Sequence, residues 1–216
     1  EYDDALRQLT RKGISTEEVY ESLVMADIRE AADALKQTWE KSERIDGYVS
    51  IEVPPALAFY TAETVREGKR LFKLIGRPNV MIKVPAPPAG IPAIEEPIAA
   101  GINVNVTLLF AREAYAHAAE AYMRGLERRT AAGEDLDGVA SVASFFVSRI
   151  DSAVDKLLPG DSPLRGKAAV ANSRIAFARY RETYDSERWK KLEAGGARRQ
   201  RLLWASTSTK DPDYPD

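Results

Sequence analysis

The chain has 216 residues, 44% of them hydrophobic, enough for one sizeable core, and 31 basic against 33 acidic residues leave a net charge of −2. That balance argues against nucleic acid or an anionic membrane surface as a partner, and the absence of cysteine with a single histidine excludes disulfides, thiolate chemistry and His-rich metal sites. No apolar run approaches the roughly 18 to 20 residues of a membrane span and no signal-peptide pattern opens the chain, so a cytoplasmic setting is expected. A start at Glu1 and the ending DPDYPD suggest a piece of a longer protein.

Helical periodicity covers 2–9 and 15–39. Ser15 is placed to cap the second helix with Glu18 at capping-box spacing, and Val19, Leu23, Ala26, Ile28, Ala31 and Leu35 supply its apolar side. The β-branched YVSIEV predicts a strand over 48–53, and the helical pattern of 61–74 is broken by GRPN. VMIKVP, 80–85, reads as a buried strand. A short helix near 90–100, the strand INVNVTLLF at 102–110 and an alanine-rich helix over 111–129 follow, then the strand VASVASFFV at 139–147. KAAVA fits either a strand or a helix. Alanine, with Val170, Phe177, Tyr180 and Tyr184 at helical spacing, favours a helix over 166–184. SERWKKLEAGG predicts a helix closed by glycine, and RLLWAST, 201–207, the fifth strand. Strands separated by helices imply βα units and a parallel sheet in one domain over 1–216, with the active site at the C-terminal strand ends.

Those ends carry polar groups in succession: Glu52, Lys83, Asn105 with Thr107, Ser144 with Arg149 just beyond, and Ser206 with Ser208 and Lys210. Singly, each has a plain structural reading. Lys83 fits an exposed edge strand, Glu52 a strand-end salt bridge, Asn105 and Thr107 helix caps, and Arg149 an ion pair with Asp151 or Asp155. Five such strand ends together suit a site. A free lysine is only about 0.1% neutral at pH 7.4, so an apolar strand position that favours the neutral amine makes it a useful nucleophile toward a carbonyl. A neighbouring carboxylate acting through water supplies proton transfer, which suits Glu52, with Thr107 to hold that water. Asn105 offers a donor and an acceptor to sugar hydroxyls, and Arg149 with Ser144 suits a phosphate. His117 reads as a helix-surface residue, and Trp39, Trp189 and Trp204 as packing anchors.

The segments YVSIEV, VMIKVPA, GINVNVTLLF, VASVASFFVSRID and QRLLWASTSTK resemble the strand segments of transaldolases, in the bacterial subfamily that includes fusions to phosphoglucose isomerase. The likeness spans essentially the whole chain. It implies a (β/α)8 TIM barrel of the class I aldolase type, here incomplete, with strands 3 to 7 of eight. It also implies Lys83 as the Schiff-base lysine, Glu52 working with Thr107 and a catalytic water, Asn105 on the substrate, and Ser144 with Arg149 on the phosphate. Ser206, Ser208 and Lys210 take the further substrate contacts near the seventh strand. The implied reaction converts sedoheptulose 7-phosphate and glyceraldehyde 3-phosphate to erythrose 4-phosphate and fructose 6-phosphate, in the pentose phosphate pathway. No cofactor is expected, because the protonated imine is the electron sink. The alternatives are a fructose 6-phosphate aldolase-like lyase, a kind that carries a different residue at the position of Glu52, or a non-catalytic truncated barrel.

The chain departs from the family in lacking its first two strands, with the aspartate and the Ser-Asn-Pro segment they carry, and its eighth. It also has Pro87 and Pro88 in the loop after Lys83, and Pro97 within a helix. Open sheet edges are expected to favour pairing with a second copy.

Overall fold

The computed structural model describes residues 2–211 and Tyr214. Two helices, α1 (Asp3–Thr10) and α2 (Thr16–Lys41), precede β1 (Val49–Glu52), α3 (Thr61–Ile75), β2 (Val80–Pro85), α4 (Pro92–Ala99), β3 (Val104–Leu109) and α5 (Arg112–Ala131). Then come β4 (Ser141–Phe146), α6 (Ser148–Val154), α7 (Ala168–Tyr184), α8 (Glu187–Ala194) and β5 (Arg201–Ala205), with short 3-10 turns at Pro55–Leu57 and Asp155–Leu157. The strands form one parallel sheet in the order β1-β2-β3-β4-β5, as expected of successive βα units.

The capping box at Ser15 and Glu18 forms as its spacing predicts. The face that α2 buries is rotated from the one read in the sequence: Val19 is buried and Ile28 packs on the core as read, with Leu23 and Ala31 partly covered, but Met25 and Ala32 go inside while Ala26 is exposed and Leu35 keeps 39% of its surface. The reason is tertiary. Only the stripe that meets α3 and β1 is covered, and the rest of the helix lies beyond the last strand on that side. At the far edge, α7 buries Ala169, Ala176 and Tyr184, whereas Val170 and Phe177 remain about half exposed. The sequence pattern also passed over α6, which is too short to show a helical period. Pro97 does not break α4. At the sixth of eight positions it removes only one late intrahelical bond, and the helix is packed against α5.

One face of the sheet, with Ile82, Val84, Val104, Val106 and Phe145, packs on the helices. Helices α4 and α5 approach so closely that a Cβ on Gly125 would lie 2.6 Å from Ile98 Cγ2 and 2.9 Å from the Glu95 carbonyl oxygen. Trp189 is fully buried between Tyr122 and Tyr184, and Trp204 on the edge strand is 39% exposed with its ring edge-on to Phe145. The opposite face carries a small apolar layer of Met81, Ala140 and Val142 with Tyr48, and above it the polar residues. Each sheet edge borders an apolar cleft. One of about 710 Å³ lies between α2 and β1, and one of about 660 Å³ lies beside α7 and Trp204.

Candidate active site

Strand β2 is flanked by β1 and β3, so Lys83 is not on an edge strand. The register aligns Glu52, Lys83 and Asn105 across three strands, two residues beyond Met81 on the same face. Lys83 Nζ and Glu52 Oε2 are 3.0 Å apart, with side-chain exposures of 31% and 38%, so the pair sits at the open end of the sheet and is reached by solvent. The amine and the carboxylate that a Schiff-base reading requires are therefore in direct contact.

Asn105 is buried on β3. Ser144 Oγ on β4 donates to its Oδ1 at 2.7 Å, and its Nδ2 donates to Ser50 Oγ on β1 at 3.0 Å. Ser144 thus spends its one proton on Asn105, leaving it only acceptor capacity toward a phosphate. Ser50 was not among the residues singled out in the sequence. The signal was there, since it stands two positions before Glu52 and so on the same face of β1.

Thr107 aligns with Pro85 at the strand end and is 1% exposed, and its Oγ1 has no hydrogen-bond partner within the protein. A buried hydroxyl without a partner costs about 1–3 kcal/mol, which makes it a candidate for function. The pairing with β4 skips a residue between Val106 and Leu109, and Leu108 takes φ = 60°. A bulge that forces a leucine into left-handed backbone stores roughly 1–2 kcal/mol, and such bulges commonly adjoin active sites. Neither Asn105 nor Thr107 caps α5, whose N-cap is Ala111. On the β2 side, the loop of Pro87 and Pro88 folds back so tightly that a Cβ on Gly90 would collide with the Pro85 carbonyl oxygen.

Arg149 lies on the first turn of α6, exposed, its guanidinium 4.9 Å from the centre of the Phe146 ring. The carboxylates read as its alternative ion-pair partners are engaged elsewhere: Asp151 accepts from the Ala169 amide and Asp155 from the Gly166 amide. The start of α6 is tied to the end of β5, where Ser148 N–H donates to the Ser206 carbonyl at 2.9 Å and the two hydroxyls are 3.0 Å apart. Ser206 takes φ = 55°, which ends β5 at Ala205, short of the expected 207. Ser208 and Lys210 are exposed and bonded to each other at 2.5 Å, apart from the Lys83 cluster's hydrogen bonds. His117 is exposed on α5.

Among the described residues no group of three or more His, Cys, Asp or Glu is placed to hold a metal ion, and no helix is long and apolar enough to cross a membrane. The family model for transaldolase/fructose-6-phosphate aldolase matches residues 1–216. The chain is 50% identical over 229 residues to transaldolase 2 of Nostoc sp., 51% over 232 residues to transaldolase 2 of Nostoc punctiforme, and 50% over 220 residues to transaldolase 1 of Streptomyces avermitilis. All of this chain is covered in each case, and 58–60% of the relative, so the chain spans about 60% of the length of the curated relatives it matches. A match over every residue, at half identity, makes the chain a member of the transaldolase/fructose-6-phosphate aldolase family.

Proposed function

We propose that the protein is a transaldolase that works through a Schiff base on Lys83. The observation that carries this reading is the 3.0 Å contact between Lys83 Nζ and Glu52 Oε2 at the C-terminal end of a parallel sheet, beside Asn105 and the unpartnered Thr107 hydroxyl. Glu52 accepts the lysine proton. The free amine attacks the C2 carbonyl of a ketose phosphate, and the carbinolamine loses its hydroxyl as water, protonated through Glu52 and a water held by Thr107. The C4 hydroxyl then gives up its proton to a base, the part of the aspartate that the family carries on its first strand and that these five strands do not supply, as the iminium draws the electrons of the C3–C4 bond, which breaks to release an aldose phosphate and leave an enamine. The retained dihydroxyacetone unit then adds to the aldehyde of a second aldose phosphate, and hydrolysis frees the lysine.

Sedoheptulose 7-phosphate and fructose 6-phosphate as donors, with glyceraldehyde 3-phosphate and erythrose 4-phosphate as acceptors, belong to this reading, and with them the pentose phosphate pathway and a cytoplasmic setting. Asn105 meets a substrate hydroxyl, Arg149 takes the phosphate, and Ser206, Ser208 and Lys210 line the approach to it. The carboxylate at position 52 favours transfer over the aldolase-like alternative. The (β/α)8 barrel is part of the proposal, with these five strands as its third to seventh. It is supported by the apolar clefts at both sheet edges, which are the surfaces that neighbouring βα units cover in a closed barrel. Incubating the complete protein with fructose 6-phosphate and borohydride should leave a reduced three-carbon adduct on the peptide containing Lys83. An adduct on Lys167 or Lys210 instead would refute the assignment.

A further inference from the structure

Strand β1 is not a neighbour of β3, because β2 runs between them. The bond from Asn105 Nδ2 to Ser50 Oγ therefore passes across β2. In the register Ser50 stands beside Met81, and Asn105 beside Lys83. In that register the bond runs diagonally over β2 from the level of Lys83 to the level of Met81, on the sheet face that carries the apolar layer of Met81, Ala140 and Val142. With Ser144 holding the other end of the amide, a hydroxyl, an amide and a second hydroxyl form one bar from β4 across β2 to β1, at the strand level of the lysine.

We propose that Ser50 is a positioning residue, which with Ser144 locks the plane of the Asn105 amide beside Lys83. This rests on the transaldolase reading. An asparagine amide has two N–H donors and an oxygen with two lone pairs, and its terminal torsion is broad. The two serines use one N–H and one lone pair. One donor and one acceptor remain, in a fixed plane, for the hydroxyls of the substrate held on Lys83. Without Ser50 the amide turns about its terminal torsion and offers those groups in many directions. The bar also gives Ser144 a role other than phosphate binding.

The test compares Ser50→Ala, Ser50→Thr, Asn105→Ala and the double variant Ser50→Ala with Asn105→Ala in the complete protein, by kcat, KM, borohydride trapping on Lys83 and thermal unfolding. Ser50→Ala should lower kcat about 3- to 10-fold, the worth of one neutral hydrogen bond, with a smaller change in KM, and Ser50→Thr should restore most of it. In the Asn105→Ala background Ser50→Ala should change kcat no further. An unchanged kcat for Ser50→Ala, or an equal loss with and without the Asn105 amide, would overturn the proposal. If the wild-type protein traps no adduct, the transaldolase reading fails instead. The bar is then judged by unfolding alone, where non-additive losses support it and additive ones overturn it.

Discussion

Replacing Thr107 by valine should separate stability from catalysis. Thr107 is 1% exposed and its hydroxyl has no protein partner, so the cost of burying that polar group is offset only by the water it is proposed to hold. Valine keeps the branched shape and removes that cost. Thr107→Val is therefore expected to leave stability within about 1 kcal/mol of the wild type, at about 2–4 °C in Tm per kcal/mol for a chain of this size. Turnover should fall about 100-fold or more, because the hydroxyl positions the water that carries protons between Glu52 and the carbinolamine. Thr107→Ser keeps the hydroxyl and loses one methyl, so it should cost about 1 kcal/mol and hold activity within a few-fold. Unfolding followed by circular dichroism, with a coupled assay of the aldose phosphate released from fructose 6-phosphate, measures both sides. A valine variant that unfolds several degrees early while keeping full turnover would show that the hydroxyl is structural and the reasoning wrong.

Arg149→Lys should raise KM for phosphorylated sugars well above any change for unphosphorylated analogues, because an ammonium cannot copy the planar fork of donors; equal effects on both substrates would make Arg149 structural. Gly125→Ala sets a helix-propensity gain of about 1 kcal/mol against a Cβ at 2.6 Å from Ile98 and 2.9 Å from a backbone oxygen, neither of them the far end of a flexible chain. Overpacking of about 1–3 kcal/mol should win, and an unshifted urea midpoint would contradict the close approach of α4 and α5. The hydrogen bonds from Arg198 hold the Asp137 carboxyl below its ordinary 3.8. Its stabilising contribution is present above that value and lost as pH falls through the lowered one. For so exposed a pair it is at most about 1 kcal/mol, so Asp137→Asn should shift the urea midpoint slightly at pH 7 and by less as the pH falls below the ordinary carboxylate range.

The order and kind of the five strands could be read from residue order alone, because β-branched runs and glycine or proline breaks are local signals, and the strand at 80–85 falls where it was expected. So could the capping box and the presence of polar groups at every strand end, since alternation along a strand assigns faces without knowledge of neighbours. Which stripe of α2 or α7 is buried depends on what packs there. Met25 and Ala32 go inside, while Leu35 and Phe177, more apolar by type, stay partly out because they lie beyond the edges of the sheet. Leu108 at φ = 60° and Ser206 at φ = 55° carry no glycine or asparagine signal, since tertiary pairing and not local preference imposes those conformations. The site divides in the same way. Lys83 and Glu52 were legible as chemistry, but their 3.0 Å contact depends on the register between two strands. Ser144 was read for a phosphate and is bonded to Asn105, which in turn crosses β2 to a serine that the sequence alone did not single out. A hydrogen bond between side chains 55 residues apart belongs to the packing of strands, and only the folded sheet could decide it.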